Sequence, residues 1–165
     1  MKKTKKIALC GVMCALAFAF SYIEFLIPFD MIGIPGIKPG FANLIIMAAL
    51  YQLGLPYAAV VSAVRIVLSW LIFGNFTSLL YSLAGGVLSL LLMFVLKKYK
   101  VFDEIGVSVS GAVVHNAAQL AVSALLTSGA VLYYTPVLLV AGVVFGVING
   151  LLLKLIVKRT EKLFL

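Results

Sequence analysis

The sequence predicts an all-α integral membrane protein, a six-transmembrane-helix bundle with both termini on the cytoplasmic side. Three observations predict it. Hydrophobic residues make up 64% of the 165 positions and charged residues only 11%, with a mean hydropathy of +1.22. A water-soluble domain of this size needs roughly 25% charged residues to cover its surface. The apolar runs are long and do not alternate, which in lipid selects helices over a closed barrel. The basic residues, finally, gather in alternate connections. No polar or low-complexity linker divides the chain, so residues 1–165 read as one membrane domain.

A bilayer crossing needs about 20 apolar residues, and six such runs lie near 7–27, 41–55, 57–73, 77–96, 107–128 and 135–157. The first follows a basic start. It resembles a signal peptide with Ala17 and Ala19 at the cleavage site, but its apolar stretch runs on to about Ile27, too far for the apolar core of such a peptide. It is read as an uncleaved helix. The second and third runs are separated only by "GLP" at 54–56. Gly54 and Pro56 end one helix and start the next.

Charge sets the orientation. With the N-terminus inside, Lys2, Lys3, Lys5 and Lys6, then Lys97, Lys98 and Lys100, then Lys154, Lys158, Arg159 and Lys162 all fall at the cytoplasmic face. Lys38 lies outside and Arg65 lies within the third run. An even number of crossings returns the C-terminus to the same side, as the positive-inside rule asks. The net charge of +8 then reports topology and attraction to anionic lipid. A nucleic-acid-binding stripe would need a soluble face, which the chain lacks. The reading is a multi-pass protein of a bacterial cell membrane.

Small residues recur at spacing four. Gly11, Ala15 and Ala19 do so on the first helix, Ser78, Ser82 and Gly86 on the fourth, and Gly142, Gly146 and Gly150 on the sixth. Such stripes let two backbones approach closely in lipid. On the fourth and sixth helices they are read as packing within the bundle. On the first, the stripe is compatible with packing inside or with docking a second protein. Cys10 and Cys14, one turn apart, are read as small packed thiols.

Ionisable and amide side chains inside apolar runs are the candidate site. A lone arginine at mid-bilayer costs about 2.5–3.5 kcal/mol even on the lenient insertion scale, so Arg65 must face a partner or a wet interior. Either it pairs with Glu24, near the outer end of the first helix, or it contacts an anionic ligand. His115, Asn116 and Gln119 share a face of the fifth helix and serve either interhelical hydrogen bonding or ligand contact. Asn43 starts the second helix, where free N–H groups favour anions. Lys38, in the outer connection "GIPGIKPG" (33–40), and Asn75 lie on the same side. The glycines and prolines of residues 28–41 allow that connection to fold back as a cap over the bundle's outer mouth.

Chemistry of other kinds has little support. The only aspartates, Asp30 and Asp103, form no pair to hold Mg²⁺ on a diphosphate, no phosphate-binding P-loop is present, and a single histidine gives neither a triad nor a metal ligand set. No catalytic residue, metal or cofactor is expected.

The segments "GIKPGFANLIIMAALYQLG" (36–54) and "AAVVSAVRIVLSWLIFGNFTSLLYSLAGG" (58–86) resemble the Gx transporter family, whose members are often labelled heptaprenyl diphosphate synthase component I. That family looks like a branch of the substrate-binding S-components of energy-coupling factor (ECF) importers. The resemblance implies a six-helix bundle that captures a micronutrient or cofactor precursor, such as a flavin or an isoprenoid or quinone precursor, under the 28–41 loop. It implies as partners a membrane coupling subunit and cytoplasmic ATPases. It also implies that Ala15 and Ala19, matching an A-x-x-x-A docking motif that Gly11 extends, contact the coupling subunit. Lys38, Asn43, Arg65, His115, Asn116, Gln119, Glu24 and Asn75 are then the expected pocket residues. The alternatives are a noncatalytic membrane subunit associated with a prenyl diphosphate synthase, and an autonomous ion-coupled carrier.

Overall fold

A computed structural model describes residues 2–27, 39–126 and 129–164, with the side chains of 129, 130 and 161–164 left aside. Every regular element in these residues is helical. They are α1 (Lys3–Leu26), α2 (Phe41–Gln52), α3 (Leu55–Phe73), α4 (Phe76–Lys98), α5 (Glu104–Leu126) and α6 (Thr135–Phe164), with a short 3-10 helix, Gly129–Tyr134, before α6. Of the expected 28–41 connection, residues 28–38, with Lys38, lie outside the described residues.

Five of the helices are long and apolar enough to cross a membrane. The sixth, α2, has 12 residues and is about 18 Å long, short of the ~30 Å hydrocarbon core. The expected run 41–55 overstates it because Gly54, at φ 95°, takes a conformation that side chains with a Cβ avoid and breaks the chain there. Pro56 then enters the first turn of α3, where a missing N–H costs nothing.

Apolar except for Asn43 and the Tyr51–Gln52 end, α2 buries eight of its 12 residues, from Ala42 and Leu44 through Leu50, as a helix with so little polar face must. Around the bundle the order is α1, α3, α4, α5, α6, α2, each packing on the next, and α2 also reaches α3 and α4. The main core follows from this. Leu50, Val61 and Leu153 are fully buried with Ala17, Ala49 and Ala58.

Opposite charges hold the two ends of α2. At its start the Phe41 N–H donates to Glu24 Oε1 of α1 at 2.6 Å. At its end Lys97 Nζ of α4 donates to the Leu50 carbonyl at 2.7 Å and stands over the Tyr51 ring. A carboxylate at the N-terminus and an ammonium at the C-terminus both match the helix dipole and satisfy groups the helix leaves open. Gln52 Nε2 donates to Thr160 Oγ1 of α6 at 2.9 Å, and Cys10 of α1 approaches the Tyr57 carbonyl of α3 at 3.9 Å. The beginnings of α1 and α3 and the ends of α2, α4 and α6 therefore share one end of the bundle. The opposite end holds the site.

Small-residue stripes divide by direction. A Cβ on Gly142, Gly146 or Gly150 would meet Asn116, Val109 or Ile105 of α5 within 3.0 Å, so that stripe is where α5 and α6 close together. Gly86 lies as tightly against Ile66 of α3. On α1, by contrast, Gly11, Ala15 and Ala19 are all exposed, and a Cβ on Gly11 would meet nothing within 4 Å.

Candidate functional site

At the α2 N-terminal end the six helices leave a chamber of about 230 Å³. Each helix contributes to its wall: Glu24 from α1, Asn43 from α2, Arg65 from α3, Tyr81 from α4, His115 from α5 and Asn149 from α6. Asn116 and Gln119 line it as well.

The approach to the chamber is built by Gly40. Its φ of 73° is open to glycine at little cost, and it turns the chain so that the Gly40 carbonyl accepts from the Asn43 and Leu44 N–H groups at 2.9 and 3.2 Å. Asn43 thus sits in the first turn of α2 facing the interior. Its Oδ1 accepts from Arg65 Nη1 at 3.3 Å, while Arg65 Nε donates to Ser21 Oγ of α1 at 2.8 Å. The guanidinium is held by two neutral acceptors on different helices. They orient it without cancelling its charge, and the nearby Glu24 carboxylate gives one oxygen to the start of α2. Glu24 also acts on the guanidinium electrostatically, so the Ser21–Arg65–Asn43 network stands beside both expected readings of Arg65, the pair with Glu24 and the contact with a ligand. Arg65 also borders a second cavity of about 230 Å³, toward Trp70 and Phe73.

On the far wall, α4 and α5 meet closely at Gly85. A Cβ there would come within 3.0 Å of His115 and Gln119, so the absent side chain at 85 is what lets these two reach the chamber. Asn116 divides its roles: it lines the chamber and donates through Nδ2 to the Leu138 carbonyl of α6 at 2.8 Å.

Asn75 stands elsewhere. It begins α4 in a capping box: its Oδ1 accepts from the Ser78 N–H at 2.8 Å and its own N–H donates to Ser78 Oγ at 2.9 Å. The cap satisfies two open donors. It places Asn75 on the rim of the second cavity and leaves Ser78 facing the chamber.

Asn149 is the residue that the sequence analysis misses, although an amide inside an apolar helix is the signal that singled out Asn116. It is only 4% exposed. Its Nδ2 donates to the Pro39 carbonyl at 2.9 Å and toward that of Gly40 at 3.4 Å. Its Oδ1 is buried with no hydrogen-bond partner among the described residues. A buried acceptor left open costs about 1–3 kcal/mol, so this oxygen on the wall of a polar chamber is suited to a donor supplied from inside it.

A family model described as heptaprenyl diphosphate synthase component I matches residues 13–156. The chain belongs to this family. No curated protein and no solved structure matches it.

In this member of the component I family the matched span runs from α1 into α6 and takes in every chamber residue named above. The five long apolar helices make it a multi-pass membrane protein. Among the described residues no three His, Cys, Asp or Glu side chains come together. Cys10 and Cys14 are free thiols, the first buried and the second half-buried against the core.

Proposed function

We propose that this component I chain is the substrate-capture subunit of an ECF-type importer, taking a small micronutrient or cofactor precursor from outside the cell. The reading rests on one observation: polar side chains from all six helices converge on one chamber at the end of the bundle that the 28–41 connection adjoins. Amides and ions inside an apolar bundle are costly unless they serve a pathway or a ligand. Here they bond across helices and at the same time gather around one space. The basic end of the bundle is cytoplasmic by the positive-inside rule, with both termini on that side and the chamber at the outer face. Arg65 and Asn43 are the contacts for an acidic group, and Asn75 guards the second cavity. The outward stripe Gly11, Ala15 and Ala19 docks the coupling subunit, whose ATPase partners supply the energy. The chain itself catalyses nothing.

Mass spectrometry of small molecules that copurify with the chain tests this directly. Wild-type protein retains a compound that Arg65→Ala loses. Equal retention by the variant removes Arg65 from the site.

A second reading is favoured by the family description: a noncatalytic membrane subunit associated with a prenyl diphosphate synthase. Affinity purification separates the two. Recovery of a synthase without ATPases selects the second reading, and recovery of ATPases selects the first.

A further inference from the structure

The chamber is not closed on the α5 side. One face of α5 runs along it, from Ser108 and Gly111 through His115 and the adjoining Asn116 to Gln119. The same face continues through Leu120 and Ser123 into a separate cleft of about 330 Å³. Tyr81, Asn116 and Gln119 line both spaces. The cleft is bounded by Leu120 of α5, Val131 and Tyr134 of the 3-10 helix, and Leu138 of α6. It exists because α4 and α6 flank α5 without packing appreciably on each other.

The two spaces differ in character. The chamber presents Arg65, held by the neutral acceptors Ser21 and Asn43 with the Glu24 carboxylate beside it, and the side chains of His115 and Asn149. The cleft presents aliphatic side chains and two tyrosines. By itself the chamber, at about 230 Å³, falls below the ~300–1,000 Å³ that drug-sized ligands occupy. A compact polar group fills it and leaves no room for an apolar body. The adjoining cleft has that room.

We propose that chamber and cleft form one two-part site for a small acidic amphiphile. Its head lies against Arg65 in the chamber, and its apolar or aromatic body passes between Tyr81 and Gln119 into the cleft between α4 and α6. This deepens the capture reading and rests on it, since it names the class of molecule captured. A prenyl diphosphate and a medium-chain fatty acid share the chemistry and are two sources for it.

The test uses the full chain in phosphatidylcholine nanodiscs, with Cys10→Ala and Cys14→Ala to remove the native thiols and Leu138→Cys to place one in the cleft. Maleimide labelling of that thiol is timed with geranyl diphosphate, decanoic acid, inorganic diphosphate or geraniol present. Val131→Cys provides a second reporter should the first variant fold poorly. At about ten times its Kd, an acidic amphiphile slows labelling roughly tenfold. Inorganic diphosphate and geraniol leave the rate unchanged, and Arg65→Gln removes the protection. Protection by geranyl diphosphate alone identifies the prenyl source and protection by decanoic acid alone the fatty acid. No protection by either, or equal protection by geraniol, overturns the proposal. The assay needs no partner protein, so protection here with no ATPase recovered in the affinity purification sinks the importer reading alone, and no protection with ATPases recovered sinks the two-part site alone.

Discussion

Asn149 of α6 holds the carbonyl of Pro39, 110 residues away in the chain, at 2.9 Å. One amide thus joins the wall of the chamber to the last turn of the connection that leads into α2. Its nitrogen faces the backbone, and its oxygen is buried with no described partner. Anything that donates to that oxygen from the chamber also steadies the turn at Gly40.

Asn149→Asp keeps the shape and the acceptor but removes the donor. It sets a carboxylate against the Pro39 and Gly40 carbonyls. Stability is expected to fall by about 1–3 kcal/mol, read as the midpoint of thermal unfolding in nanodiscs. Hydrogen exchange should quicken at the amides of residues 41–44 more than at the far end of α2. Uniform quickening along α2 would show that Asn149 does not act through the turn.

Glu24 is expected to matter first as a cap. Glu24→Gln retains an acceptor for the Phe41 N–H and should cost less than Glu24→Ala, which leaves that group open at a cost of about 0.5–2 kcal/mol. Thermal unfolding of the pair decides it. Equal losses would place the weight on the charge of Glu24 beside Arg65 instead of on its hydrogen bond.

At the other end of α2, Lys97→Met removes the ammonium from the Leu50 and Tyr51 carbonyls while keeping much of the apolar stem. The expected loss is about 1–3 kcal/mol. Because Lys97 does not line the chamber, retention of the molecule proposed to copurify should be unaffected once the protein is folded. Loss of the molecule at unchanged stability would contradict this division of roles.

Gly85→Ala brings a methyl group within 3.0 Å of His115 and Gln119. Overpacking of this kind costs typically about 1–3 kcal/mol. Here the two side chains must shift, so ligand retention should fall along with the unfolding midpoint. Gly11→Leu is the contrasting case. A Cβ on Gly11 meets nothing within 4 Å, so stability should change by no more than about 0.5 kcal/mol, while on the proposed importer reading copurification of ATPases drops. Undiminished assembly would free the α1 stripe from a docking role.

Much of this was legible in the chain. Each long helix is an apolar run whose length matches the bilayer, and periodicity needs no partner to be read. Glu24, Asn43, Arg65, His115, Asn116 and Gln119 stood out because a polar group in such a run is expensive wherever it points. The stripes of small residues were legible too, but their direction was not. Gly142, Gly146 and Gly150 turn inward against α5, and Gly11, Ala15 and Ala19 turn outward, with the same spacing in both. Asn75 looked like a site residue because its type suits one, yet its type also suits the cap that it forms with Ser78.

By itself the sequence determined that this is a helical membrane protein, roughly where its helices run and which side chains lipid would not tolerate. Composition and period are local properties, and lipid acts on each segment separately. Only the tertiary structure decided that α2 is a short buried strut held by Glu24 and Lys97. It alone showed that the polar residues of six helices enclose one chamber, that Asn149 ties this chamber to Pro39, and that α5 carries the chamber's wall onward into a cleft. Those are relations between residues as many as 110 positions apart, set by how helices rotate and close on one another, and no single segment encodes that rotation.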